Sequence, residues 1–86
     1  MILKDKHGNV FDLDVVHVVE MEEYERGWGS RVDDVLYFST EEQAIIFMKE
    51  YNEKHNTETF VPDWYMMPRY KGSFPVSDFS NIVIEK

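Results

Sequence analysis

The 86-residue chain contains no cysteine, which excludes a disulfide scaffold and a thiolate-ligated zinc site. Basic residues are scarce: nine Lys and Arg stand against 17 Asp and Glu, for a formal charge of −8. Proteins that grip nucleic-acid backbones displace counterions with Lys and Arg, so direct nucleic-acid binding is not expected. Long apolar runs are missing as well. Stretches such as Val35-Leu36-Tyr37-Phe38 fall far short of the roughly 20 residues of a membrane-crossing helix. The opening Met1-Ile2-Leu3-Lys4-Asp5-Lys6 turns charged too early for a secretory signal, so a cytoplasmic protein without membrane association is expected. What is present is 43% hydrophobic and 15% aromatic residues. That is enough for one core, and the length fits a single domain spanning 1–86.

The pattern of apolar residues predicts an α+β domain: an antiparallel sheet of four or five strands with one main helix packed on one face. Ile2-Leu3-Lys4 and Val10 to Leu13 flank Asp5-Lys6-His7-Gly8-Asn9. Gly8 and Asn9 tolerate the positive φ of a tight reversal, and His7 reads as a solvated turn residue. Residues 13–24 hold Val15, Val16, Val18 and Val19, the composition of a central strand partly covered on both sides. Glu25 to Arg31 reads as the loop of a long hairpin whose second strand is Val35 to Phe38. Ser39 as N-cap with Glu42 three residues on makes a capping box and predicts a helix over 40–55. Ala44, Phe47, Met48, Tyr51 and His55 share its buried stripe, Ile46 lies on the opposite side, and Asn56 offers a left-handed stop. Trp64 to Met67 reads as a short strand bounded by Pro62 and Pro68. Residues 69–80 read as an irregular segment pinned by Phe74 and Phe79, and Asn81 to Ile84 as a last short strand.

No constellation for catalysis emerges. There is no cysteine nucleophile and no serine in a Gly-x-Ser-x-Gly turn. The three histidines are far apart, so neither a metal nor another cofactor is expected. Gly27-Trp28-Gly29 is too short for a dinucleotide fingerprint. Pro62-Asp63 has the look of a nuclease motif's start, but no Glu-x-Lys follows it. The chain is therefore expected not to be an enzyme. Two features suggest a binding surface instead. Glu22, Glu23, Asp33 and Asp34 gather near the hairpin loop, either as a negative patch for a basic partner or as a solvated rim. Arg26, Trp28 and Arg31 occupy the loop itself, where Trp28 either contacts a partner or folds back onto the sheet. The same loop would serve in the alternative reading, a small-ligand or nucleotide-binding module. Because the strands are apolar on both faces and one helix covers one, a tail, a partner or a second copy must cover the other. A homodimer is expected on that ground.

The run Phe38-Ser39-Thr40-Glu41-Glu42-Gln43-Ala44, with Phe47, Tyr51-Asn52 and Val61-Pro62-Asp63-Trp64-Tyr65-Met66, resembles small uncharacterised accessory proteins of tailed, T-even-like bacteriophages. Glu25-Arg26-Gly27-Trp28-Gly29-Ser30-Arg31 looks like part of the same pattern, and the resemblance covers about residues 18–67. It implies a non-enzymatic accessory protein in the cytoplasm of an infected bacterium, which binds a host protein as an inhibitor or counter-defence factor. It supplies no catalytic residues to carry over.

Overall fold

A computed structural model describes residues 1–56 and 64–86. The elements run β1 (Ile2–Lys4), β2 (Val10–Asp12), β3 (Val15–Glu25), β4 (Gly29–Phe38), α1 (Glu41–His55) and β5 (Trp64–Pro75), followed by a 3₁₀ turn at Val76–Asp78. The architecture is α+β, as the patterning predicts. The five strands, however, divide into an antiparallel β1–β2 pair and a three-stranded antiparallel sheet ordered β4-β3-β5.

The first hairpin is organised by Asp5. Its Oδ1 accepts from the backbone amides of His7 and Asn9, and its Oδ2 from Asn9 Nδ2, all at 2.8 Å. Gly8 supplies the positive φ, at +85°. These bonds to the ionised form hold the Asp5 carboxyl below its usual pKa, the Asn9 side chain contributing most.

Strand β3 carries the core because it is central and two-sided. Successive side chains point to opposite faces. Val16 and Val18 therefore pack with Leu3, Val76 and Ile84, while Val19 and Met21 pack on the other side with Phe38 and Ala44. Helix α1 covers the second face with Phe47, Met48 and Tyr51, which are half-buried rather than enclosed. The first face is covered by β1–β2, the 3₁₀ turn, Phe79 and Ile82. The chain thus covers both faces at this end of the sheet by itself.

Several boundaries differ from expectation. The hairpin ladder runs out to Glu25↔Gly29, so the expected seven-residue loop shrinks to Arg26-Gly27-Trp28. Residues 69–75, expected to be irregular, continue β5 through Pro68 to Pro75. Proline is admitted because β5 is an edge strand, where an amide facing away from β3 has no ladder bond to lose. A bulge at Lys71, with Gly72 at φ +106°, absorbs the register shift opposite Val18 and Val19. The expected last strand reduces to Ile84, which bridges Asp5 and Tyr37.

The helix starts one residue later than expected. Thr40, not Ser39, is the N-cap, its Oγ1 accepting from the Gln43 amide at 3.1 Å. Ser39 instead donates through Oγ to the Lys86 carbonyl at 3.0 Å. At the other end Asn56 has φ −122° and is not left-handed. Its Nδ2 donates to the Met66 carbonyl at 3.1 Å and to Asn52 Oδ1 at 2.8 Å, tying the helix end to β5. The connection 57–63, including Pro62-Asp63, lies outside the described residues.

Candidate functional site

Beyond Met21 the three strands continue as an arm in which β3 gives no side chain to either buried cluster, and the end of the helix reaches it at Met66, the partner of Glu23. The described chain extends 43 Å along its long axis and 23 × 21 Å across. At the tip, the amide of Trp28 donates to the Glu25 carbonyl at 3.0 Å and closes the turn. Gly27 and Gly29 stand at φ +85° and +84°, so the glycines fix a tight reversal instead of loosening a loop. Trp28 is thereby held outward with 82% of its surface exposed. Of its two expected placements, contact residue or core residue, the exposed one is observed. Arg26 is in the same turn and is exposed.

The acidic residues expected to form one rim are split by the pleat. Glu22 and Glu23 are consecutive in β3 and face opposite sides. On one side, Glu23 Oε1 accepts from Trp64 Nε1 at 2.8 Å, and its Oε2 from Arg31 Nε and Nη2 at 3.2 and 3.1 Å. The Trp64 bond first, and the Arg31 guanidinium with it, hold the Glu23 carboxyl below its usual range. On the other side, Glu22 accepts from the Tyr24 hydroxyl and lies 3.6 Å from Arg69 Nε. Arg69 Nη2 donates to the Tyr24 hydroxyl at 2.8 Å, and Tyr24 stacks on Tyr65 with centroids 5.0 Å apart. Both glutamates are therefore engaged in cross-strand bonds that stiffen the arm.

Asp33 and Asp34 belong to the strand edge. Asp33 is the extra residue of a bulge, since Met21 faces Asp34 and Glu22 faces Val32. Asp34 Oδ1 accepts from the Val35 amide at 2.8 Å. Bulges and charges on an edge discourage another strand from adding there. Closer to the base, the C-terminal segment occupies that edge: Glu85 N donates to the Tyr37 carbonyl and Ser39 N to the Lys86 carbonyl, each at 2.7 Å.

The structure thus brings Arg26, Trp28, Arg31 and Glu23 to the tip and one side of the arm, with Trp64 beneath them. Glu22 lies on the reverse, Asp33 at the β4 bulge within reach of Glu23, and Asp34 on the edge strand. Arg69 escapes the sequence reading because it lies beyond Pro68, where the short strand is expected to stop; Tyr24, Trp64 and Tyr65 fall within expected strands, but their roles depend on the pairing of β3 with β5, which the residues do not reveal. The hollow between Trp28, Gly29, Arg31 and Glu23 measures only about 60 Å³, well below the roughly 300–1,000 Å³ of small-molecule sites. That size weighs against the small-ligand or nucleotide alternative at this loop. Among the described residues, no cluster of His, Asp or Glu is placed to hold a metal ion, and no helix is long and apolar enough to cross a membrane. No protein-family model, curated protein or solved structure matches the chain.

Proposed function

We propose that this is a non-enzymatic accessory protein of a bacteriophage, acting in the host cytoplasm, which binds a host protein through the tip of its β3–β4 arm and inhibits it or blunts a defence. The supporting observation is Trp28, held outward by a closed three-residue turn on a stiffened arm. Large rigid aromatics lose little conformational entropy on contact and concentrate binding energy. Among the described residues the indole lies outside both clusters of the core. The net charge of −8 favours a basic surface on the partner and disfavours nucleic acid. Two copies of the chain would pair through the arm, because the base of the sheet is already covered on both faces. Light scattering that finds a 10.3 kDa monomer at high micromolar concentration removes that pairing.

The test is affinity capture from bacterial lysate with the intact chain and with Trp28→Ala, read by mass spectrometry. The reading requires a host protein captured by the first and lost with the second, while both give the same circular dichroism. A variant that captures the same proteins as the intact chain overturns it.

A further inference from the structure

A second surface lies where the covered base of the sheet meets the arm, on the face opposite the helix. There a cleft of about 360 Å³ opens over Val18, a volume within the range of ligand sites. Its walls are aromatic. Tyr37 and Phe74 stand on the two outer strands, and Phe79 meets both rings edge-on, with centroids 5.3 and 6.1 Å away and interplanar angles of 68° and 86°. Two carboxylates line the cleft, Glu20 from β3 and Asp78 from the 3₁₀ turn. The cation among its lining residues is Lys71, placed there by the β5 bulge, with Nζ 3.6 Å from Glu20 Oε1.

We infer that this cleft receives an arginine side chain of the partner protein, with Lys71 as the resident cation that the guanidinium displaces from Glu20. This rests on the partner-binding reading above. Aromatic faces attract cations through their quadrupole, and carboxylates add the charge. Between the two common protein cations, guanidinium is the better match. It is flat, more weakly hydrated, and able to stack on a ring while giving two hydrogen bonds to one carboxylate. The internal pair is easily exchanged: the Lys71 side chain is 46% exposed, and the 3.6 Å separation is long for a charge-assisted hydrogen bond.

The probe is the peptide acetyl-Gly-Arg-Gly-amide, titrated into the labelled full chain and followed by amide chemical shifts. Saturable shifts confined to Val18, Glu20, Lys71 and Phe79 are expected. Glu20→Gln should weaken binding about two- to fivefold, as loss of an exposed charge contact implies, and Lys71→Ala should tighten it by a similar factor. Trp28→Ala should leave the affinity unchanged, because the tip lies outside the cleft. No saturable shift, equal binding of the corresponding Glu or Lys peptide, or weakening by Lys71→Ala overturns the inference. Loss of lysate capture dependence on Trp28 with peptide binding intact would remove the tip reading and the partner, leaving an arginine site. The reverse outcome removes the cleft assignment alone.

Discussion

Strand β3 passes through two environments along its 11 residues. Val16 and Val18 are buried on one face with Leu3, Val76 and Ile84, and Val19 and Met21 on the other with Phe38 and Ala44. From Glu22 to Glu25 the ladder to β4 and β5 continues, but β3 gives no side chain to either buried cluster. Buried apolar area, the main source of folding free energy, is thus concentrated at one end. The other end is held by backbone ladders, a tyrosine stack and charged hydrogen bonds. Val32 is 47% and Trp64 53% exposed there. A single sheet can therefore keep its stability in one half and offer the other half to a partner.

The largest effect expected on this division comes from Phe38, the bulkiest fully buried side chain. Phe38→Ala should cost about 3–5 kcal/mol, read by chemical denaturation, and would leave little of the fold of so small a domain. Phe47→Ala, on the half-buried helix stripe, should cost less, below about 3 kcal/mol. If Phe47 proves as costly as Phe38, the helix covers the sheet more deeply than its exposure implies.

Hydrogen exchange sharpens the comparison residue by residue. The amides of Val18 and Val19 should exchange only with global unfolding, and those of Glu23 and Tyr24 by faster local opening. Equal protection along β3 would mean that the arm is as stable as the base.

A smaller effect is expected in acid. Glu23 has a folded pKa below its ordinary 4.5, so its contribution is present above that value and lost as the pH falls through the lowered one. With Trp28→Phe, Trp64 is the one tryptophan left. Its fluorescence should change with a midpoint below pH 4.5, and Glu23→Gln should abolish that transition. A midpoint at or above 4.5 would mean that Trp64 and Arg31 do not favour the carboxylate.

The elements whose signals are local were legible in the residues. Helix α1 follows from the spacing of Ala44, Phe47, Met48 and Tyr51, and β3 from its run of valines. The first hairpin was read from Gly8 and Asn9, although Asp5 does most of the hydrogen bonding. What was missed depends on neighbours. Pro68 looks like a strand terminator until its strand is known to lie at an edge. Ser39 and Thr40 are equally good caps until Ser39 is drawn to the Lys86 carbonyl by the returning C-terminal segment. Glu22, Glu23, Asp33 and Asp34 cluster in sequence, yet the pleat sends Glu22 and Glu23 to opposite faces while the bulge leaves Asp33 within reach of Glu23. Residue type alone fits Trp28 to core or surface, because only the length of the turn decides which way the indole points.

The smallest expected change in stability accompanies the largest expected change in binding, and both belong to Trp28. Replacing it by Ala should alter the unfolding free energy by less than about 1 kcal/mol, as for a side chain outside the core. Thermal unfolding and lysate capture measured on the same Trp28→Ala preparation test the division of the molecule most directly. The account predicts an almost unchanged melt with the captured host protein lost. A variant that unfolds, or one that melts normally and still captures that protein, would contradict it.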